Sequence, residues 1–123
     1  MARSKAFLFE EDEQLGSRLC MAMSHPAKIR MMRRLKSNGV VSYAELIADI
    51  PLAESSITQH LNTIKRLGFT KPVLMGDGNA GYRLNAELYR SCAEASRQQM
   101  RGEGRIITLP VVDEDCAAEG GEI

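Results

Sequence analysis

Between residues 52 and 67 the chain alternates apolar and polar positions at helical spacing. The apolar positions recur every three or four residues, at Ile57, Leu61, Ile64 and Leu67. At about 100° per residue they share one side of a helix, which Gly68 ends. The other side carries small or forked hydrogen-bonding residues: Ser55, Ser56, Gln59, Asn62, Thr63 and Arg66. Such side chains pair with base edges and phosphates in a major groove, whereas an ordinary solvated face carries more Glu and Lys.

A second, shorter helix is predicted just before this one. Ser42 and Glu45 have the spacing of a capping box, so a helix begins at about Tyr43. It ends before Pro51, whose ring disfavours a helical residue at position 50. The connection is then about four residues, 49–52. Amphipathicity alone also fits a polar surface helix, but two short helices joined by so tight a turn favour a helix-turn-helix.

After Gly68 the pattern changes to period two. Residues 69–75 alternate, residues 76–81 are rich in turn formers, and residues 82–84 resume an extended pattern. This predicts a two-stranded β-hairpin, or wing, in which Pro72 belongs to an edge strand because it has no amide donor. Lys71 and Arg83 are placed to contact the sugar-phosphate backbone. Asn79 is interpreted as a turn residue.

Two further helices flank this region. Leu15, Leu19 and Met23 recur at four-residue spacing and predict a first helix. Asn85 can cap a final helix over residues 86–100. Its apolar stripe consists of Leu88, Tyr89, Cys92, Ala93 and Ser96. The predicted fold is therefore mainly α-helical with a two-stranded β-wing, a winged helix-turn-helix.

Residues 16–84 resemble the ArsR family of winged-helix transcriptional regulators. Residues 22–30, AMSHPAKIR, are similar to the family's ALSHPARLRIL; residues 55–61, SSITQHL, to its STVSQHL; and residues 65–69, KRLGF, to its LREAGLV. The motifs stand in the same order and at the same spacing over a little more than half the chain. Pro26 suits the first turn of a helix, and His25 is interpreted as a residue of its cap.

The resemblance implies a homodimer joined through the first and last helices. An isologous dimer presents two recognition helices to a palindromic operator in double-stranded DNA, and the expected role is that of a repressor. His60, at the border of the apolar stripe, joins the predicted DNA contacts. The residues assigned to the dimer interface are Leu15, Leu19, Tyr89, Cys92, Ala93 and Ser96.

The formal net charge of zero hides an uneven distribution. Residues 24–90 hold ten Lys or Arg against five Asp or Glu, whereas residues 91–123 hold three against seven. Basic charge is thus concentrated in the winged-helix region, as expected of a DNA-binding surface. Two of five cations in the helix after His25 are expected to meet phosphates: Lys28, Arg30, Arg33, Arg34 and Lys36.

The length and composition limit the classes of protein to which this chain can belong. The chain of 123 residues is predicted to form one winged-helix domain over residues 1–100, followed by a flexible acidic tail, 101–123, with a short β-prone run at 106–112. No apolar run approaches the roughly 18 residues of a membrane span, and no signal-peptide core precedes the acidic residues 10–13. Three widely spaced cysteines suit a reducing compartment. We expect a cytoplasmic protein without a membrane partner.

Metal sensing, the family's most familiar role, is not predicted. The helix at 43–48 has no cysteine, and the helix at 86–100 has neither Asp nor His. One Cys per helix falls short of the three or four ligands that Zn²⁺ prefers. Cys20 and Cys92 are interpreted as small buried hydrophobic residues, with a redox pair as the alternative. Four methionines are interpreted as adaptable core: Met21, Met23, Met31 and Met32. No cofactor is predicted.

Three classes of function remain. The first is a dimeric, sequence-specific DNA-binding repressor. The second is the same scaffold with a thiol or an unknown small-molecule effector, and the third is a winged helix that binds protein, which would replace the polar face at 55–66 with an apolar patch. The only two histidines, His25 and His60, lie in the helix-turn-helix region and belong to no catalytic constellation, and no glycine loop for phosphates follows a strand, so an enzyme is not expected.

Overall fold

The computed structural model describes Lys5 and residues 8–102. The predicted β-prone run at 106–112 and the acidic tail from residue 103 onward lie outside the described residues, as does Cys116. The elements follow one another in the order α1 (Glu11–Ala22), α2 (Pro26–Asn38), β1 (Val40–Ser42), α3 (Tyr43–Ile47), α4 (Glu54–Arg66), β2 (Thr70–Leu74), β3 (Ala80–Leu84) and α5 (Ala86–Met100).

Three of the helices begin at side-chain caps that the sequence predicted. The amide of Ala27 donates to His25 Nδ1 at the start of α2, where Pro26 takes the first helical position. At α3 the capping box is complete, since the Glu45 amide donates to Ser42 Oγ and the Ser42 amide to Glu45 Oε1, both at 3.1 Å. At α5 the amide of Leu88 donates to Asn85 Oδ1. Each cap satisfies an amide that lacks an intrahelical partner.

The sheet has three strands in the order β1-β3-β2, all antiparallel. The predicted two-stranded wing is confirmed as β2 and β3, whereas the third strand, β1, was not predicted because it is only three residues long and runs straight into the α3 cap, too short to show a period. Gly39, with a φ of 74°, turns the chain from α2 into β1, a conformation that costs glycine least. Pro72 lies in β2, which pairs only with β3, so the predicted edge position is confirmed.

The two faces of the sheet differ. Val41 pairs with Tyr82 on the inner face, where Val41 is fully buried. Val40, Arg83 and Lys71 form the neighbouring row on the outer face, because alternate residues of a strand point to opposite sides. The sheet therefore closes one side of the core and presents two cations outward.

The core is a single cluster contributed by all the helices and the first strand. Its fully buried larger members are Phe69, Met31, Met32, Leu35, Leu46, Leu61, Ile64, Val41 and Cys92. Met31 and Met32 thus fill the core as predicted. Met21 and Met23 are exposed, so their assignment to the core was wrong.

α1 and α5 pack against each other in antiparallel fashion. Gln99 Nε2 near the end of α5 donates to Asp12 Oδ2 near the start of α1. Farther along, a Cβ at Gly16 would lie 3.7 Å from Gln99 Cγ and 3.8 Å from the backbone of Ser96, which is ordinary van der Waals contact, so the two helices also pack closely here. No helix in the described part of the chain is long and apolar enough to cross a membrane.

Candidate nucleic-acid interface

α4 has one side in the core and one side in solvent. Ile57, Leu61 and Ile64 are buried, as the apolar period predicted. Gly68, with a φ of 92°, turns the chain after the helix, and a Cβ there would come within 3.2 Å of Leu88 Cδ2. Glycine at this position therefore serves both the turn and the close approach of α5.

The solvent side of α4 carries a stripe of polar side chains that we call the outer stripe. It consists of Ser55, Gln59, Asn62 and Arg66, all exposed. Their spacing of four, three and four residues keeps them within about 60° of one another, opposite the buried face. Ser56 and Thr63 flank the stripe and are half-buried, and Thr63 Oγ1 donates to the carbonyl oxygen of Gln59 at 3.1 Å.

His60 differs from the outer stripe because it has a tertiary contact. Its ring is half-buried, and its centroid lies 4.1 Å from that of the His25 ring, with 30° between the ring planes. Burial lowers the pKa of His60, and the neighbouring His25 and Lys28 lower it further. The side chain thus packs on the N-terminal end of α2.

The wing adds two cations beside α4. Lys71 and Arg83 face each other as cross-strand partners of β2 and β3, and both are exposed. On the inner face, Lys65 Nζ lies 4.8 Å from the ring centroid of Tyr82, so α4 and the wing are in contact. At the tip, Asn79 donates from its amide and its side chain to the two carboxylate oxygens of Asp77, as expected of a turn residue. These bonds lower the pKa of Asp77.

Most cations of α2 have partners within the protein. Lys28 is only 7% exposed, and its Nζ donates to Met21 O at 2.7 Å and to Ser24 Oγ at 2.8 Å. Lys36 Nζ lies 5.1 Å from the ring centroid of Tyr89. Lys28 is therefore not available to a phosphate, and the prediction that two of the five cations contact DNA stays with the other four. The exposed Arg33 has none of these contacts.

Two arginines of α2 hold the helix-turn-helix together, a role that charge alone did not reveal. Arg30 Nη1 donates to the carbonyl oxygen of Asp49 at 2.6 Å, in the turn where Asp49 adopts a φ of 59°. Arg34 Nη1 donates to the carbonyl oxygens of Glu45 and Leu46 at the end of α3. Carbonyls at a helix end lack intrahelical partners, so the guanidinium groups stabilise the turn before α4.

The residues predicted for the dimer interface lie in the contact between α1 and α5 of a single chain. Leu15, Leu19 and Tyr89 pack against the core and are partly buried. Cys92 is fully buried within the single chain, and its place in a dimer interface stays a prediction. Helix α1 of the same chain covers most of the apolar stripe of α5.

Ser96 and Ala93 complete the predicted interface set. The Ser96 hydroxyl is buried and, within the described residues, has no hydrogen-bond partner. Ala93 is half-buried. A dimer would therefore have to use the exposed edges of α1 and α5, including the groove lined by Glu11, Leu15 and Ser91.

The cysteines of the described region do not form a pair. Cys92 is buried, which raises the pKa of its thiol, whereas Cys20 is exposed. The interpretation of Cys92 as a small buried hydrophobic residue is confirmed, and that of Cys20 was wrong. A raised pKa disfavours the thiolate, the reactive form. Among residues 8–102 no three His, Cys, Asp or Glu side chains lie together in a way that could hold a metal ion.

Comparison with known proteins identifies the fold. No family model and no curated protein sequence matches the chain. Among solved structures, an ArsR-like transcriptional regulator from Rhodococcus sp. RHA1 superposes with a TM-score of 0.56, at 19% identity, over 73% of this chain and 81% of that one. The chain has an ArsR-type winged-helix fold.

Two further structures share this fold. HlyU from Vibrio cholerae matches with a TM-score of 0.55 at 22% identity, over 72% of this chain and 96% of its own. The transcriptional repressor BigR from Xylella fastidiosa matches with a TM-score of 0.54 at 16% identity, over 84% of this chain and 100% of its own. The fold that the motifs at 22–30, 55–61 and 65–69 predicted is thus confirmed.

Proposed function

We propose that this protein is a sequence-specific DNA-binding transcriptional regulator, and that it acts as a repressor. The observation that carries the proposal is the outer stripe of α4, because it is polar, exposed and directly opposite the buried face. A helix held in this way by the core can enter a major groove and present side chains to base edges. The regulators that share the fold support the same role.

The side chains of this surface divide into two kinds of contact. Gln59 and Asn62 carry amides, which donate to and accept from a base edge at once and so distinguish one base pair from another. Arg66, at the end of the stripe, is assigned to a phosphate. Ser55 and Ser56, in the first turn of α4, are assigned to the backbone of the DNA, where helix N-termini favour anions. Thr63 lies beside the outer stripe and is assigned to a contact at the edge of the DNA-binding surface, where its hydroxyl oxygen can still accept a hydrogen bond.

The wing is proposed to grip the phosphate backbone. Lys71 and Arg83 are like charges directly opposite each other on neighbouring strands, an arrangement that destabilises a free sheet. A phosphate between or beside them would remove the repulsion. The pair is therefore well suited to a protein that binds a polyanion.

The protein is proposed to bind DNA as a homodimer through α1 and α5. Two copies related by a two-fold axis would present two α4 helices to the half-sites of a palindrome. Large apolar side chains are exposed around α1 and at the end of α5, as an interface requires: Leu8, Phe9, Met21 and Met100. The interface is assigned to the exposed edges of Leu15, Leu19, Tyr89 and Ala93 together with these side chains.

An experiment with random duplexes tests the proposal. The purified protein is incubated with a pool of random 30-base-pair duplexes, and bound DNA is recovered through several rounds. We expect one enriched motif, palindromic, with half-sites about 10 bp apart. Binding that is weak, lost steeply with salt and equal for all sequences would contradict the proposal.

A further inference from the structure

The contact between His25 and His60 joins the N-terminal end of α2 to α4. The ring centroids are 4.1 Å apart, close enough for the rings to stack. His25 is the N-cap of α2, and His60 lies one position from Gln59 in the outer stripe. The position of α4 relative to α2 therefore depends on two side chains that can each take up a proton.

The hydrogen bond at the α2 cap depends on whether His25 Nδ1 carries a proton. The amide of Ala27 donates to His25 Nδ1 at 3.0 Å, and a nitrogen accepts a hydrogen bond only when it carries no proton. The cap therefore requires an Nδ1 that carries no proton. A proton added to Nδ1 would remove the acceptor and place a cation at a helix N-terminus, where positive charge is unfavourable.

The surroundings of His60 are positive. Besides His25, the charged group that acts on it is the ammonium of Lys28, which is buried and held by the Met21 carbonyl and the Ser24 hydroxyl. On α4 itself, Glu54 lies roughly 9 Å along the axis at about 1.5 Å per residue. In the turn before α4, the carbonyl of Asp49 is bound to Arg30. Burial, followed by the charges of His25 and Lys28, lowers the pKa of His60 below its usual value.

We propose that His25 and His60 are a positioning pair for the DNA-reading helix, and that only the neutral pair holds α4 in place, so that affinity for DNA falls on acidification. The proposal rests on the proposed function, because it takes α4 as the element that reads DNA. Protonation of both rings would put two cations about 4 Å apart beside the buried Lys28 ammonium. The same protonation would break the cap of α2.

The direction of the pH effect follows from the lowered pKa of His60. Above pH 7 the imidazole of His60 is neutral in both the folded and the unfolded chain, and the contact makes its full contribution to stability. As the pH falls through the ordinary histidine pKa of about 6.5, the unfolded or displaced state takes up the proton first. The contribution of the pair to stability is then lost progressively and is gone below the lowered pKa of the folded state.

The histidine content allows a direct test in solution, since the chain has only two histidines. The ring protons of both histidines are followed by NMR from pH 8 to pH 4.5 in the wild type. The remaining histidine is followed over the same range in His25→Asn and in His60→Gln. Asparagine is a favourable N-cap that does not titrate, so His25→Asn keeps the start of α2. We expect the pKa of His60 to lie below the ordinary value and to rise in His25→Asn. An ordinary pKa that His25→Asn leaves unchanged would overturn the proposal.

A second arm measures DNA binding. The affinity for the duplex selected at pH 7.5 is compared at pH 7.5 and pH 5 for the wild type and the double variant His25→Asn/His60→Gln. We expect the loss on acidification to be at least tenfold greater in the wild type. Equal losses in the two proteins would overturn the proposal. If the wild type selects no duplex at pH 7.5, the proposed function and the DNA-binding part of this proposal both fail. The NMR titration tests the interaction between the two histidines independently of DNA.

Discussion

The side chain of Asn85 binds the carbonyl oxygen of Gly68, so the start of α5 is tied to the end of α4. Asn85 Nδ2 donates to Gly68 O at 3.1 Å, and the Asn85 amide donates to Phe69 O at 2.8 Å. At the same time Asn85 Oδ1 accepts from the Leu88 amide and caps α5. One residue thus links the helix proposed to read DNA to the helix proposed to mediate dimerisation.

We predict that the two bonds of the Asn85 side chain can be separated by mutation. Asn85→Ala removes both and should lower the free energy of unfolding by ~1–2 kcal/mol. Asn85→Ser keeps an acceptor for the cap but loses the donor to Gly68, so it should lie between the wild type and the alanine variant. Urea denaturation measures the differences. A serine variant as stable as the wild type would show that the bond to Gly68 contributes nothing.

The sequence predicted the helices more fully than the sheet, for a physical reason. α5 has the predicted bounds, and the α2 and α3 caps were recognised because a cap is made by residues a few positions apart. β1 was missed because it is defined by pairing with β3, whose residues lie some forty positions later. Helix caps involve residues close together in the sequence and can be recognised there, whereas a short strand is defined by its pairing with residues far away in the chain.

The same distinction applies to the candidate site. The outer stripe of α4 follows from helical period alone, and its exposure agrees with the prediction. The bonds from Arg30 and Arg34 to the helix-turn-helix, and the contact of His25 with His60, are tertiary and carry no signal in the spacing of charges. The assignment of the α5 stripe to an interface between chains came from the family resemblance and stays a prediction, because an apolar stripe does not say which surface covers it.

A second prediction concerns the wing. Arg83→Gln should weaken binding to selected and random duplexes alike, and should make the slope of log affinity against log salt shallower by about 0.9, the value for one phosphate contact. It should also leave the free protein slightly more stable, because the repulsion with Lys71 is relieved.

Arg97→Gln is the matched control for the wing variant. It removes the same charge from an exposed residue of α5 that pairs with Glu94. The salt slope of this control should equal that of the wild type. Equal slopes for Arg83→Gln and Arg97→Gln would contradict the assignment of the wing to the phosphate backbone.

A third prediction concerns assembly. Ala93→Glu places a charge at the half-buried edge of α5, where we propose that a second copy packs. In sedimentation experiments the wild type should be a dimer and the variant a monomer with much weaker operator binding, because burying an unpaired charge is costly. Ser37→Glu, an exposed site near the end of α2, should remain dimeric. A folded Ala93→Glu monomer that binds the palindrome as tightly as the wild type would refute the dimer.

A fourth prediction concerns metal ions. A metal-responsive regulator needs several ligands that close around the ion, and no such group lies within residues 8–102. Operator affinity should therefore change by less than about tenfold, or about 1.4 kcal/mol, when Zn²⁺, Cd²⁺ or Ni²⁺ is added at micromolar concentration. Tight stoichiometric binding of one of these ions with release of DNA would refute this prediction, and Cys20, Cys92 and Cys116 would be the first ligands to replace.

The central claim is that the outer stripe of α4 reads DNA sequence, and Gln59 tests it most directly. Gln59 is exposed in the middle of the stripe, so its removal should not disturb the core. Asn38→Ala serves as the control, since it deletes an exposed side-chain amide at the end of α2, where neither a base contact nor a dimer contact is proposed.

The decisive measurement is the affinity of Gln59→Ala for the selected duplex and for a random duplex at the same salt concentration. We predict a loss of ~1–3 kcal/mol on the selected duplex and almost none on the random one, because an amide that pairs with a base edge contributes only at its own sequence. Asn38→Ala should match the wild type on both. An equal loss on both duplexes for Gln59→Ala, or none on either, would contradict the claim that this helix reads the sequence.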